Sequence, residues 1–319
     1  MRVDVDSWDP AYGAELEAGR GPGAAQSDAQ LRLDVELPAD GWQPLHPGGD
    51  VRAPDTVLLV DGVRRIDAGV WITDEETGAT HRGLAVSYAA GVVRCDLAAG
   101  VAEVAGARIA RGLFTPSPSI VDVVAGLASY AAQRVRSEEH LIDGVQAQLQ
   151  ALEVGLSQEV RDSGSDLLVV DGPLRAGRMH LDHALGYVKT HRVEYLPAEL
   201  STVVTRLRPG QRSPVFGMGS RWQRYAWYLR LPGPGGGPWA GVVRVECTAD
   251  LAVNQAIGLA DLSAVTLPRF ASTAYKDPRA PQNLIPVAGL ERRLRSLLGD
   301  PRLLHRALVL ATRRPVAVR

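Results

Sequence analysis

The sequence predicts an α/β fold, a mixed β-sheet flanked by helices. Three observations predict it. Two short apolar runs, Thr56-Val57-Leu58-Leu59-Val60 and Asp166-Leu167-Leu168-Val169-Val170, each lead into Asp-Gly. A block of strand-like segments precedes a region of helical period, and the last third alternates the two signals.

Residues 1–52 are rich in Gly, Pro, Ala and Asp and read as an N-terminal arm. The arm carries a short strand near Leu31-Arg32-Leu33-Asp34-Val35, and Trp8 and Trp42 pin it to the body. The remainder, 53–319, reads as one domain. The run ending at Val60 is β-branched and apolar, and Asp61-Gly62 directly after it reads as a turn. Strands are expected at 69–73, 82–88, 91–96 and 102–113, with Ala89-Ala90-Gly91 as a hairpin signal. From about 120 to 160 the period becomes helical, with Leu141, Val145, Leu149, Leu152 and Leu156 three or four residues apart.

The cluster Ser163-Gly164-Ser165 closes the helix, and the second apolar run ends on Asp171-Gly172-Pro173. A strand at 184–188 and a helix from Pro197 follow. Strands are then expected at 214–216, 225–231 and 239–245, with a Gly/Pro hairpin tip at 232–238, and helices near 251–258 and 289–298. The resulting β-β-β-α-β-α order matches an RNase H-like mixed sheet.

Composition narrows the function. No run nears eighteen apolar residues, so no membrane span is expected, and the start lacks a basic-then-apolar pattern. Cys95 and Cys247 alone make neither a disulfide framework nor a zinc site. A cytoplasmic location is the expectation. The net charge of −1 conceals an asymmetry: residues 201–319 carry 18 Lys and Arg against 6 Asp and Glu, leaving 17 against 30 in the first 200. A basic half beside an acidic one points to a polyanionic partner. There is no P-loop and no G-x-S-x-G elbow, and Phe216-Gly217-Met218-Gly219-Ser220 has too few glycines for a dinucleotide loop. His180 and His183 are a weak metal signal.

The carboxylates fit metal-assisted phosphodiester hydrolysis. That chemistry needs acidic side chains converging on hard ions such as Mn²⁺ or Mg²⁺. Asp61 and Asp171 share one context, an apolar strand before and a glycine after. Ligand sites in α/β sheets lie at the carboxyl ends of strands, although Asp-Gly is also ordinary turn chemistry. A third carboxylate from the intervening helix is Glu153, at the edge of the apolar stripe, ahead of Glu159. Asp67 is a supporting ligand or a hairpin residue. Arg64 and Arg65 stand close enough in sequence to hold a phosphate beside the metals. Lys189 follows a strand, with His191 and Arg192 next. Arg206, Arg208, Arg212, Arg221 and Arg224 interleave with Trp222, Tyr225, Trp227 and Tyr228, a mixture suited to single-stranded DNA or to a core strand with arginines outside. Arg212, Tyr228, Lys276 and Arg279 join Arg64 and Arg65 as expected nucleic-acid contacts.

Val60-Asp61-Gly62-Val63-Arg64-Arg65, Val170-Asp171-Gly172-Pro173-Leu174 and Gly186-Tyr187-Val188-Lys189-Thr190 resemble, in order, the motifs of NurA-family nucleases. So does Asp277-Pro278-Arg279-Ala280-Pro281-Gln282-Asn283-Leu284-Ile285-Pro286-Val287, followed by Leu290-Glu291 and Leu294-Arg295, which looks like the bacterial branch. The resemblance spans roughly residues 50–310 and implies an RNase H-like fold. It also implies Mn²⁺-dependent DNA cleavage, with Mg²⁺ as the alternative ion, and a homodimer working with a HerA-type hexameric ATPase in DNA end processing. It maps the family's two aspartates onto Asp61 and Asp171, its helical glutamate onto Glu153 and its lysine onto Lys189. Its tyrosine falls on Tyr225 or Tyr228. Two departures stand out: Val63 replaces a serine common in the family, and Ala288 or Gly289 occupies the place of a late histidine. A catalytically silent adaptor docked on such an ATPase is the rival reading, and an RNase on the same scaffold is a third.

Overall fold

A computed structural model of the chain describes residues 25–26, 30–74, 76–161, 166–174, 183–191, 193–219, 223–233 and 236–312. Trp8, Ser163-Gly164-Ser165, His180, Arg192, Arg221 and Trp222 lie outside the described residues.

The strands are β1 (Ala25–Gln26), β2 (Gln30–Arg32), β3 (Thr56–Thr73), β4 (Thr80–Asp96), β5 (Val101–Thr115), β6 (Val123–Ala125) and β7 (Ala128–Arg134). Helix α1 (Leu141–Val160) follows, then β8 (Leu167–Asp171), β9 (Ala184–Val188), β10 (Val193–Glu194) and helix α2 (Ala198–Thr205). Strands β11 (Phe216–Gly219), β12 (Gln223–Arg230) and β13 (Val242–Thr248) lead to helices α3 (Val253–Thr266), α4 (Ile285–Leu297) and α5 (Pro301–Thr312). The fold is α/β with a large mixed sheet and flanking helices, as the sequence predicts. None of the described helices is long and apolar enough to cross a membrane. The chain divides into two compact units, one of Met1–Leu59, Val93–Glu103 and Asp162–Gly289, the other of Val60–Val92, Val104–Arg161 and Leu290–Arg319.

In the first unit the hydrogen-bonded order is β2-β11-β12-β13-β9-β8, with β3 next. Strands β8 and β9 are parallel, and the pairs from β9 to β2 are antiparallel. The alternation of β12 puts Ala226 and Tyr228 on one face and Trp227 on the other. The first face packs with Leu200 and Val204 of α2, Trp42, Phe216 and Met218. On the other, the Trp227 indole donates to Ser263 Oγ of α3 at 2.9 Å. The described part of the arm is built in: β2 pairs with β11, and Trp42 is buried with its indole donating to Leu33 O.

In the second unit β4 lies between β3 and β5, β7 runs parallel to β5, and β6 closes the edge antiparallel to β7. Helix α1 buries Leu141, Val145, Leu149, Glu153 and Leu156, close to the predicted stripe. Helix α5 covers Leu113, Ala125, Ala128 and Tyr130 with Leu304, Ala307 and Leu308.

Three expectations are corrected. Ala89-Ala90-Gly91 makes no hairpin: 82–88 and 91–96 are one strand, β4, in which both alanines are fully buried. A Cβ at Gly91 would come within 2.7 Å of Leu290, so close packing, and not a turn, requires the small residue. Residues 120–134 are β6 and β7, not helix; Val124 is exposed while Tyr130 is buried, the alternation of a half-buried hairpin. Asp61-Gly62 does not end its strand, because β3 continues to Thr73 and absorbs the strand expected at 69–73.

Candidate functional site

In the first unit the site starts at the end of β8. Leu168, Val169 and Val170 are buried, and Asp171 at the strand end is half-buried. Gly172 then takes φ +108, a conformation open to glycine but strained for other residues, and its N–H donates to Tyr187 O of β9 at 2.8 Å. The segment after it folds back over β9: a Cβ on Gly186 would lie 2.6 Å from the Leu174 nitrogen. Leu174 N–H donates to Glu246 Oε2 at 3.0 Å. Glu246 is fully buried and is also bound by Arg224 and Arg244 at 2.9 Å each.

Asp171 pairs with Tyr187 in the parallel register, and Lys189 lies two residues after Tyr187, just past the end of β9. Lys189 Nζ reaches Asp171 Oδ2 at 2.5 Å and donates to Asn283 Oδ1 at 2.7 Å. The Tyr187 hydroxyl donates to Gln282 O at 2.6 Å. Burial, then the Asp171 charge, push this phenol well above its ordinary range, so it stays protonated. Structure thus brings together two residues that the sequence singled out separately, Asp171 and Lys189.

In the second unit Asp61 is half-buried within β3 and accepts from the Gly62 N–H at 2.8 Å. Glu153 of α1 is 5% exposed. A Cβ on Gly62 would run into the Glu153 carboxylate and the Leu149 side chain. Gly62 therefore lets α1 approach β3 directly beside Asp61. Glu291 is half-buried on α4. In the sequence Glu291 stands only within the Leu290-Glu291 step of the late motif run, and an acidic residue on an amphipathic helix carries no signal of its own. Glu159 is exposed and pairs with Arg108. Asp67 is a buried structural carboxylate that accepts from Ser87, Tyr130 and Arg65. Burial first, then that charge, raise Tyr130 to about 12.

The expected nucleic-acid contacts divide. Arg212 is a correction: it is 2% exposed and holds Glu36 at 2.8 Å and Asp261 at 2.6 Å. Burial works against its charge, but the two carboxylates outweigh it and raise its pKa. Tyr228 is likewise core, 2% exposed and stacked on Phe216. Both fall in apolar strand surroundings that bury whatever side chain faces inward. Arg65 binds Asp67 and the Leu298 and Gly299 carbonyls at the end of α4, and Arg64 binds Gln146. All of these contacts lie within the second unit. Arg279 pairs with Asp277 at 3.4 Å, and Lys276 is exposed beside Tyr275. His191 packs against Trp239 and Tyr228 with Nε2 2.8 Å from Val242 O. His183 has φ 50 and stands just before β9.

No family model matches the chain, and no curated protein does. Nine chains of known structure match it. One is an endonuclease V from Bacillus subtilis, at 14% identity over 79% of this chain and 85% of that one, with a TM-score of 0.32. Another is human endonuclease V, at 17% identity, 77% and 84% coverage and a TM-score of 0.34. A third is the catalytic domain of human endonuclease V, at 16% identity, 76% and 84% coverage and a TM-score of 0.30.

Proposed function

We propose that this chain is a divalent-metal-dependent nuclease, with Asp61 and Asp171, the two aspartates that share one context in the sequence, among its metal ligands. The observation that carries the reading is the Asp171–Lys189 pair at the carboxyl ends of two parallel strands. A carboxylate there suits a metal, and an ammonium beside it suits a phosphate. The donors are all carboxylate oxygens, the chemistry that Mn²⁺ and Mg²⁺ prefer. A bound ion supplies activated water at neutral pH and neutralises charge on the phosphodiester. Lys189 holds Asp171 in place and offers its charge to the scissile phosphate. Glu153, the third ligand expected from the sequence, is buried on α1 against Gly62, the residue after Asp61.

The finer reading rests on the ordered motifs. It takes DNA, single-stranded or at ends, as substrate, with Mn²⁺ preferred. It places the RNase H-like core in a NurA-type enzyme that forms a homodimer, partners a HerA-type ATPase and works in the cytoplasm. The test is digestion of labelled single-stranded DNA, duplex DNA and matched RNA with Mn²⁺, Mg²⁺ or EDTA. Metal-dependent cleavage that is lost in monodisperse Asp61→Ala and Asp171→Ala proteins is expected. Cleavage that survives Asp171→Ala overturns the assignment. A folded protein that cleaves nothing with either metal favours the adaptor reading, to which the Val63 and Ala288 departures point.

A further inference from the structure

The late segment 277–283 has a place in the motif order but no assigned work, and its contacts supply one. Lys189 Nζ donates to Asn283 Oδ1 at 2.7 Å, and Asn283 Nδ2 donates to Asp277 Oδ2 at 2.6 Å. Asn283 is fully buried and Asp277 is 7% exposed. The other Asp277 oxygen accepts from the Arg279 N–H at 2.8 Å.

This chemistry has one solution. An ammonium only donates, and an ionised carboxylate only accepts. An asparagine between them must turn its oxygen to the lysine and its nitrogen to the aspartate. Asp277 therefore sets the direction of the Asn283 amide, and Asn283 sets the direction of Lys189. Two of the three ammonium protons are engaged, by Asp171 and Asn283, so the third has a fixed direction. The platform is docked independently of Lys189, through Tyr187 Oη to Gln282 O at 2.6 Å and Gln282 Nε2 to Val242 O at 3.4 Å.

We infer that Asn283 and Asp277 are positioning residues that aim the Lys189 ammonium at the substrate phosphate. The inference rests on the nuclease reading above. Its structural half is tested apart from activity, by the ¹⁵N-ammonium NMR signal of Lys189, which is visible only when hydrogen bonding slows proton exchange. The wild type is expected to show the signal, and Asn283→Ala and Asp277→Asn to lose it. Asp277→Asn keeps the volume and lets the Asn283 amide turn over, so it separates aim from packing. On a single-stranded oligonucleotide both variants should lower kcat about tenfold or more, the scale of supporting-shell losses, with KM within about twofold. Asp277→Glu should restore part of the rate. A visible, unchanged Lys189 signal in Asn283→Ala overturns the inference whether or not the protein cleaves DNA. Loss of the signal without a fall in kcat, in a protein that does cleave, overturns the aiming role. A wild type that keeps the signal but cleaves nothing overturns the nuclease reading and the aiming role, while the relay itself stands.

Discussion

Lys189 and Asp171 form an ion pair 2.5 Å long in which the side chains are only 10% and 14% exposed. Such a pair loses hydration on both sides, so removing one partner leaves an uncompensated charge. Lys189→Met is expected to lower stability by about 3 kcal/mol without added metal. The lysine also competes with any cation for Asp171. The same variant should therefore bind Mn²⁺ more tightly than the wild type while losing cleavage, which calorimetry and a digestion assay read together. Weaker Mn²⁺ binding by a folded Lys189→Met protein counts against Asp171 as a ligand.

The two Asp-Gly steps look alike in sequence and differ in space. Gly172 turns the chain with φ +108, whereas Gly62 lies inside β3 and is small because Glu153 and Leu149 press on it. Gly62→Ala should cost about 1–3 kcal/mol by overpacking. Adding Glu153→Ala should recover part of that loss in a double-mutant cycle. Strict additivity, measured by denaturant unfolding, rules out the contact as the cause.

Gly186→Ala acts through a different neighbour, the Leu174 backbone nitrogen, which would lie 2.6 Å from the new Cβ. Backbone yields less easily than a side chain tip, so the segment after Asp171 must shift. A loss of about 1–3 kcal/mol is expected, together with weaker metal binding at Asp171. Wild-type metal affinity in this variant separates the turn from the site.

These glycines also show what was legible. The strand runs 167–170 and 184–188 and the α1 stripe were readable because periodicity and β-branching are local properties. So were Asp171 and Lys189, each directly at a strand end. The long strands β3 and β4 were not, because the glycines and alanines that interrupt their patterns serve helices far away in sequence, such as Leu290 against Gly91. Asn283 was invisible as a functional group, since its role exists only between Lys189 and Asp277. Arginines read as phosphate contacts by their density, and only burial separates Arg212 from a surface cation.

Arg212 makes that distinction measurable. It bridges Glu36 and Asp261 with 2% of its surface exposed. Arg212→Ala should cost about 3–5 kcal/mol, the scale for breaking a buried pair. The salt dependence of DNA binding, measured well below the melting temperature, should stay unchanged, because a buried guanidinium releases no counterion from DNA. A shallower salt slope returns Arg212 to the nucleic-acid surface.

His191 gives the first unit a defined response to acid. Its ring lies against Trp239 at 4.9 Å, and burial first, with the Arg244 charge adding, lowers its pKa to about 4; the bond to Val242 O acts in the opposite direction. In the unfolded chain the same ring titrates at about 6.5. Between those values the unfolded state binds the proton and the folded state does not, so stability falls as pH drops from 6.5 towards 4 and rises again on return. Below 4 both states are protonated and this contribution levels off. His191→Phe keeps the aromatic packing, gives up the Val242 bond and removes the titration. Its stability at pH 7 should be modestly lower, but its loss between pH 6.5 and 4, measured by urea unfolding at fixed ionic strength, should be smaller than in the wild type. Equal slopes in the two proteins place the acid sensitivity on other groups.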